Sequence, residues 1–295
     1  MKKKYILSID GGGVRTIASI VFLKELEAQL RVPLAQKFDF FIGTSAGAIS
    51  SLGLAINQMP AADLMNFWSK ENLLKTMSNS SWETSLGIMQ INPKYSNEGK
   101  RQVLTKFFSD KKLKDASKPV AVTSYDIEKR LPVLLTSYND PEISVVDSGD
   151  ATSAAPVYYP TAEVGDRFLI DGGIVANHPV LHGYVEAKKI YPDNELVVLS
   201  VGTGLNKRSL KGKDSKKWGL IGWMMHDLFG LMVESSMDHE LAEELIGKNY
   251  LRINSPLGRV NRRLDDSSDS NIERIISMGE SWWHEFGQKT LDLLK

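Results

Sequence analysis

Ser45 is the first candidate for chemistry, because it lies at the centre of the pentapeptide GTSAG, residues 43–47. An apolar run at 38–42 precedes this pentapeptide, and small residues follow it. This order is typical of a nucleophile elbow, a sharp strand-to-helix turn that presents a serine hydroxyl at the end of a strand. Gly43 and Gly47 fit the turn, since side chains there would collide with neighbouring backbone. The pentapeptide alone equally fits a serine that caps a helix in a glycine-rich corner.

A second stretch, DGGGVR at residues 10–15, follows a compact apolar strand. Three successive glycines leave backbone N–H groups free to converge on an anion, as an oxyanion hole requires. A phosphate cradle is the competing interpretation. However, the lysine of a Walker motif is missing, and the dinucleotide fingerprint fits only loosely, with Thr16 at its third glycine. A tight turn with positive φ explains one glycine easily and three poorly.

The third stretch is LIDGGIVANHP, residues 169–179, in which Asp171 ends a buried strand and precedes two glycines. We expect this carboxylate at the carboxyl edge of the sheet, where open α/β sheets bind ligands. A structural aspartate that caps a turn would give the same local pattern.

Taken in order, the three stretches resemble the patatin-like phospholipase family. VAVTSYDIE, LLTSYND, ATSAAPVYYP, LVVLSVGTG and NYLRIN stand in the family's order across most of the chain. The resemblance implies a three-layer α/β/α domain and a Ser–Asp dyad that hydrolyses acyl esters of lipids. It makes Ser45 the nucleophile and Asp171 the general base. It assigns the oxyanion hole to Gly11, Gly12 and Gly13, with Arg15 beside them.

One departure from the family is Thr16, which stands where the family usually has glycine after the basic residue. Thr16 is a candidate cap for the first helix instead.

The histidines favour a dyad over a Ser–His–Asp triad. None of His178, His182, His226, His239 and His284 lies in a glycine-rich loop after a late strand, and the elbow follows only one strand–helix unit, unlike the α/β-hydrolase order. His178 follows Asp171 closely and is the remaining candidate for a histidine partner. In a dyad the carboxylate accepts the serine proton directly, which requires a dry site that raises its basicity.

The elements that must position these groups alternate between strand and helix. Apolar runs predict strands at 4–9, 38–42, 120–125, 131–138, 167–170, 196–201 and 249–254. Periodicity predicts helices from residue 17 to Pro33, from the serine turn to about Asn57, and at 61–70, 97–108, 150–156, 218–237 and 271–294. No repeat or Pro-, Gly- or Ser-rich linker divides the chain. We therefore predict an α/β fold, a three-layer sandwich with a mostly parallel sheet, as a single domain over 1–295.

Composition narrows the function classes. The chain is 42% hydrophobic and 24% charged, and its 36 basic residues balance 36 acidic ones, so no global field favours nucleic acid. The absence of cysteine excludes disulfides, thiolate metal sites and thiol catalysis, and we expect neither a metal nor a cofactor. The first apolar run ends at Asp10, shorter than the about 7–15 residues of a signal-peptide core and the about 20 of a spanning helix. We predict a cytoplasmic protein, with signal-independent export left open.

A basic cluster precedes a Trp- and Met-rich apolar segment at 218–237; it comprises Lys207, Arg208, Lys211, Lys213, Lys216 and Lys217. This pairing is typical of a peripheral membrane contact, although a buried helix behind a solvated loop has the same pattern. Residues 78–91 are a second candidate rim or lid. We predict a phospholipid or other acyl ester as substrate at a membrane surface; the sequence leaves the oligomeric state undetermined.

Two other hypotheses remain open at this point. The first is an acyltransferase or transacylase that uses the same acyl-enzyme and passes the chain to an alcohol or thiol. The second is a non-catalytic module whose glycine loop binds a phosphate or nucleotide.

Overall fold

The computed structural model describes residues 2–78, 92–219, 222, 230, 231 and 239–295. The predicted apolar helix at 218–237 and the candidate rim at 78–91 fall almost entirely outside these residues, as does His226.

The strands of the described chain form one mixed sheet. They are β1 (Lys3–Ile9), β2 (Phe40–Gly43), β3 (Val120–Asp126), β4 (Leu131–Thr136), β5 (Ala162–Val164), β6 (Arg167–Asp171), β7 (Glu195–Val201) and β8 (Tyr250–Ile253). The sheet order is β5-β6-β3-β2-β1-β7-β8, with β4 paired to β3. β3, β2, β1, β7 and β8 are parallel neighbours, whereas β4, β5 and β6 pair antiparallel. The predicted strands all form, and β5 is an addition.

The helices lie between and beside these strands. They are α1 (Thr16–Leu30), α2 (Leu34–Lys37), α3 (Ser45–Asn57), α4 (Ala61–Leu64), α5 (Lys70–Thr76), α6 (Asn97–Phe108), α7 (Val145–Thr152), α8 (Gly173–Ala176), α9 (Val180–Ile190), α10 (Gly212–Ser215), α11 (His239–Ile246) and α12 (Asp269–Leu293). Of these, α2, α8, α9 and α10 were not predicted, and α11 lies beyond the predicted bounds 218–237.

Two helix predictions were wrong in their bounds, because polar side chains cap the chain elsewhere. The predicted helix at 61–70 is divided: α4 passes into a 3₁₀ turn, and the Ser69 side chain then accepts a hydrogen bond from the Asn72 N–H and starts α5. The helix predicted at 150–156 is α7, which starts earlier because Ser144 Oγ accepts from the Asp147 N–H at 2.9 Å.

Helices cover both faces of the sheet, which confirms the predicted α/β/α layering. Leu7, Ile9 and Phe41 point into a large core shared with α1, α3 and α12. Ile6, Phe40 and Ile42, their neighbours along the strands, point into a smaller core that includes Val180 and Ala187 of α9. Alternate side chains of β1 and β2 are thus buried on opposite faces, as expected for a parallel sheet with helices on both sides.

The register of the sheet brings the ends of distant strands together. Ile9 at the end of β1 pairs with Gly43 at the end of β2, and Gly43 pairs with Val122 of β3. β6 runs antiparallel along the upper part of β3, so its last residue, Asp171, pairs with Ser124 just beyond that level. The carboxylate therefore arrives at the same edge as the serine turn from the opposite direction.

Within the ranges described above, no helix combines the length and the apolar character that crossing a membrane requires.

Candidate active site

Ser45 occupies a strained backbone position between β2 and α3. Its φ is 51°, in the left-handed region that non-glycine residues rarely adopt. Such strain persists only where surrounding structure enforces it, and it clusters at functional sites. Here the Ser45 N–H donates to Thr152 Oγ1 at 3.0 Å, and α3 begins at Ser45 itself.

The two glycines of the pentapeptide are required by close approach of backbone. A Cβ on Gly43 would lie 2.6 Å from the N and Cα atoms of Ala48. A Cβ on Gly47 would lie 2.4 Å from the carbonyl oxygen of Asp10, the residue that begins the glycine-rich loop. The elbow and that loop are therefore packed against each other without room for side chains.

The glycine-rich loop lies next to Ser45, since a Cβ on Gly11 would be 3.4 Å from the Ser45 Cβ. The Gly11 N–H donates to the Asn177 carbonyl at 3.1 Å, so it is occupied. Gly13 has φ 54°, and the next residue, Val14, donates its N–H to the Leu264 carbonyl at 2.9 Å. Among the described residues, the N–H groups of Gly12 and Gly13 donate to no other backbone or side-chain atom. They are the donors of this loop that a ligand anion could reach.

A buried ion pair fixes the start of the loop. The guanidinium of Arg252, on β8, donates to both carboxylate oxygens of Asp10, with an Nη1–Oδ1 distance of 2.9 Å. The same guanidinium donates to Ser200 Oγ on β7 at 2.7 Å. Both partners of the pair are buried, so a two-point charged contact ties the loop to two strands.

Asp171 is 4% exposed and contacts both the elbow and its own following turn. Its Oδ1 accepts from the Gly173 N–H at 2.7 Å, and the Ser45 hydroxyl is near enough to the carboxyl to lower its pKa. Burial raises the pKa of this carboxyl from 3.8 to about 6, and the Gly173 N–H, the Ser45 hydroxyl and the charge of Lys100 offset part of that rise. The result is a carboxylate that is ionised at neutral pH and more basic than usual.

The two side chains open into one largely apolar cavity of about 1040 Å³, open solvent at its mouth included. Its apolar wall comes chiefly from α3, α5, α6 and the 3₁₀ turn between α4 and α5. The wall residues are Ile49, Phe67, Trp68, Leu73, Val103 and Leu104. Gly12 and Gly13 also line it. The size and lining are those of a site for a small apolar ligand with a few polar groups at one end.

None of the described histidines lines this cavity. His178 is 1% exposed, and its Nε2 shares a hydrogen bond of 3.0 Å with Ser200 Oγ. Burial holds the pKa of His178 well below its usual value. It therefore does not pair with Ser45.

Arg15 and Thr16 lie in the turn that links the glycine loop to α1. Arg15 is 4% exposed and donates its N–H to the Gly12 carbonyl at 3.1 Å. The expectation that Thr16 caps α1 was wrong. Its side chain is fully buried inside the first turn, and its Oγ1 makes no hydrogen bond to the described residues.

Sequence reasoning missed several residues around the dyad, above all Thr152, Asn177 and Lys100. Thr152 bonds the Ser45 backbone, and the carbonyl of Asn177 occupies the Gly11 N–H. Lys100 lines the cavity as a buried charge. No local pattern singles these residues out, because their partners are remote in sequence.

A model of the family described as patatin-like phospholipase matches residues 7–183, more than half of the chain. The chain belongs to the patatin-like phospholipase family. Patatin-like protein 4 of Arabidopsis thaliana is 30% identical over 93% of this chain and 82% of that protein. The cGAMP-activated phospholipase of Pseudomonas aeruginosa is 33% identical over 84% of this chain and 77% of that protein.

Membership of the patatin-like phospholipase family confirms the predicted lipid acyl hydrolase function, and with it a lipid substrate. VipD from Legionella pneumophila shares the fold, with a TM-score of 0.56 at 13% identity. That superposition covers 99% of this chain but 66% of VipD, slightly less than two thirds, and at this identity it bears on the fold alone.

Proposed function

We propose that this patatin-like protein is a serine hydrolase that cleaves acyl esters of phospholipids, with Ser45 as nucleophile and Asp171 as general base. The observation that carries the proposal is that both side chains line one apolar cavity, with the Ser45 hydroxyl near enough to the Asp171 carboxyl to lower its pKa. The raised pKa of Asp171 supports its role, because a carboxylate with a pKa of about 6 accepts a proton more readily than one at 3.8.

In the proposed reaction, Asp171 takes the hydroxyl proton as Ser45 Oγ attacks the ester carbonyl carbon. The carbonyl electrons move to oxygen, and the N–H groups of Gly12 and Gly13 stabilise the resulting oxyanion. Collapse of the tetrahedral intermediate breaks the ester C–O bond, and Asp171 returns its proton to the departing alcohol. Water, deprotonated by Asp171, then attacks the acyl carbon; the bond between that carbon and Ser45 Oγ breaks, Asp171 returns the proton to Oγ, and the fatty acid is released. Gly11 serves this site by close packing, since its own N–H is engaged.

The test combines activity with covalent labelling. We expect a fluorophosphonate probe to label wild type on Ser45, and Ser45→Ala and Asp171→Asn to lose both hydrolysis of mixed phospholipids and labelling. Ser50→Ala is the matched control, because Ser50 is a buried serine of the same helix that bonds only the Ala46 carbonyl. Turnover retained in folded Asp171→Asn would remove the base assignment, and an unlabelled wild type would favour the non-catalytic phosphate-binding module.

The acyltransferase alternative shares every residue of this site and differs only in the acceptor. Mass spectrometry of products with and without added alcohols or thiols separates the two. Free fatty acid as the dominant product supports hydrolysis, whereas acylated acceptor in excess over fatty acid would support transfer.

We propose further that the protein works as a peripheral enzyme at a membrane surface. All six residues of the basic cluster at 207–217 are exposed, so they are available to anionic headgroups. Flotation with anionic liposomes should lose the protein when Lys213, Lys216 and Lys217 are changed to Glu. Unchanged flotation would remove the cluster from the contact. A cytoplasmic location and a single domain over 1–295 remain part of this proposal.

The Pseudomonas aeruginosa relative is named for activation by cGAMP, and we propose control of the same kind here. A cleft between the loops after β7 and β8 is lined by Lys207, Arg208 and Arg262, which suit a phosphorylated ligand. The second loop continues to Leu264, whose carbonyl holds the Val14 N–H. A ligand in the cleft could therefore act on the oxyanion loop.

Hydrolysis measured with and without cGAMP tests this control. We expect stimulation in wild type, loss of stimulation in Arg208→Ala, and full stimulation in Arg130→Ala, an exposed arginine of the β3–β4 turn. Equal rates with and without the nucleotide would reject it.

A further inference from the structure

Lys100 is a charged side chain buried beside the dyad, and the proposed reaction assigns it no role. It lies on α6, is 4% exposed, and lines the apolar cavity with Ser45 and Asp171. Its ammonium forms an ion pair with Asp150 Oδ1 at 2.9 Å and lies 4.2 Å from the centre of the Tyr159 ring. Burying an ammonium costs several kcal/mol (order of magnitude) unless it is paired and hydrogen-bonded, so its contacts indicate what it does.

The remaining contacts of Lys100 are with backbone. Its Nζ donates to the carbonyl of Asp150 at 3.2 Å and to the carbonyl of Ser153 at 3.1 Å. Both belong to residues 150–154, which we call the brace: the end of α7 and the turn after it. Lys100 thus holds the brace at two points of its backbone and at one side chain.

The brace in turn contacts both members of the dyad. Thr152 Oγ1 accepts the Ser45 N–H at 3.0 Å, and the Ala154 carbonyl accepts the Asp171 N–H at 3.0 Å. Lys100 holds residues 150 and 153 of the brace. Residue 152, which bonds Ser45, lies between them, and residue 154, which bonds Asp171, directly follows them. A displacement of the brace would therefore move the backbones of nucleophile and base.

We propose that Lys100 is a positioning residue, whose ammonium fixes the brace and through it the separation of Ser45 from Asp171. This inference rests on the proposed serine hydrolase function. Lys100 does not accept or donate a proton in the reaction. Its work is to keep the Ser45 hydroxyl within reach of the carboxylate, and misplacement of reacting groups by about 1 Å costs about 100-fold in rate.

The charge of Lys100 has a second effect that a purely structural lysine would lack. Its ammonium lowers the pKa of Asp171 against the larger effect of burial. Burial lowers the pKa of Lys100 as well, and the carboxylates of Asp150 and Asp171 offset part of that fall. Asp150 lies behind Lys100, and Arg101 bonds the other oxygen of Asp150 at 3.0 Å. Asp265 also lines the cavity, but Lys94 and Arg263 pair with it. Loss of the Lys100 charge should therefore raise the pKa of Asp171.

The experiment compares Lys100→Met, Lys100→Arg and the double variant Lys100→Met/Asp150→Asn with wild type, using a soluble monomeric acyl ester. For Lys100→Met we expect kcat to fall about 10- to 100-fold with KM nearly unchanged, and the acid limb of kcat/KM to move to higher pH. The double variant removes both charges, so its acid limb should return toward wild type while kcat stays low. Lys100→Arg keeps the positive charge, so the acid side of its kcat/KM profile should stay at the wild-type pH.

Lys106→Met is the matched control, since Lys106 is an exposed lysine of the same helix, and it should behave as wild type. Arg101 still holds Asp150 in Lys100→Met, which favours folding; the folded fraction is measured by thermal unfolding, and rates are expressed per folded molecule. A Lys100→Met enzyme with wild-type kcat and an unmoved acid limb overturns the proposal. Wild type that neither turns over nor labels with fluorophosphonate would instead reject the serine hydrolase function beneath it.

Discussion

Asp171→Asn is expected to abolish ester hydrolysis and, at neutral pH, to raise the free energy of unfolding. The asparagine has the same shape as aspartate, and its Oδ1 can accept the Gly173 N–H that Asp171 Oδ1 accepts at 2.7 Å. It carries no charge and cannot take the serine proton. The substitution therefore removes the base and also removes the cost of burying a carboxylate.

The magnitude follows from the pKa of Asp171, which is about 6 in the folded chain against the usual 3.8. At about 1.4 kcal/mol for each pKa unit, that gap corresponds to about 3 kcal/mol. The unfolded chain releases this proton near 3.8, whereas the folded chain keeps it to about 6. Between these values the unfolded chain binds fewer protons, so stability falls as the pH rises. The cost is complete above pH 6 and absent well below pH 4.

Urea unfolding followed by tryptophan fluorescence measures this difference at several pH values between about 4 and about 8. We expect Asp171→Asn to exceed wild type by a few kcal/mol above pH 6, and this advantage to shrink as the pH falls. Ser45→Ala is the matched control, because it is equally inactive but keeps the carboxylate. It removes a hydroxyl that lowers the pKa of Asp171, so the stability of Ser45→Ala should still fall as the pH rises.

A difference between Asp171→Asn and wild type that stays constant across this pH range would refute the reasoning. So would an Asp171→Asn protein less stable than wild type above pH 6. Either result would mean that the carboxylate is better solvated than its burial indicates.

Three further outcomes are expected. The kcat/KM of wild type should fall about ten-fold for each pH unit below about 6, because Asp171 must be ionised; a titrimetric profile that stays level through this range would contradict its role as base. Gly47→Ala should lower the free energy of unfolding by about 1–3 kcal/mol and reduce turnover. Gly212→Ala, whose new methyl group meets open space, should change neither. Equal unfolding midpoints for Gly47→Ala and wild type would argue against the close approach of Gly47 to the Asp10 carbonyl. Arg252→Met should cost about 3–5 kcal/mol by leaving the Asp10 carboxylate buried alone, and adding Asp10→Asn should recover part of it in denaturant titrations; no recovery would place the loss elsewhere.

The serine turn is the part of the site that could be predicted most fully. A strand, a turn and a helix that follow one another within about twenty residues depend on local backbone requirements, which GTSAG states directly. The apolar runs predicted the strands for a similar reason, since burial on both faces of a sheet demands them. Helix bounds were less secure. Ser69 and Ser144 decided where α5 and α7 begin, and each is one of several serines with no special local pattern.

The sequence by itself determined the α/β class, the residue types of the candidate dyad and the need for glycine at the elbow. Only the tertiary structure decided that β6 runs antiparallel to β3 and delivers Asp171 to the serine from the opposite direction. It also decided which loop N–H groups are engaged, that His178 bonds Ser200, and that Lys100 and Arg252 hold the site from remote elements. The physical reason is range: turn and strand preferences act between neighbours along the chain, whereas burial, and the charge and hydrogen-bond partners that set a pKa, depend on segments that meet only when the whole sheet is formed.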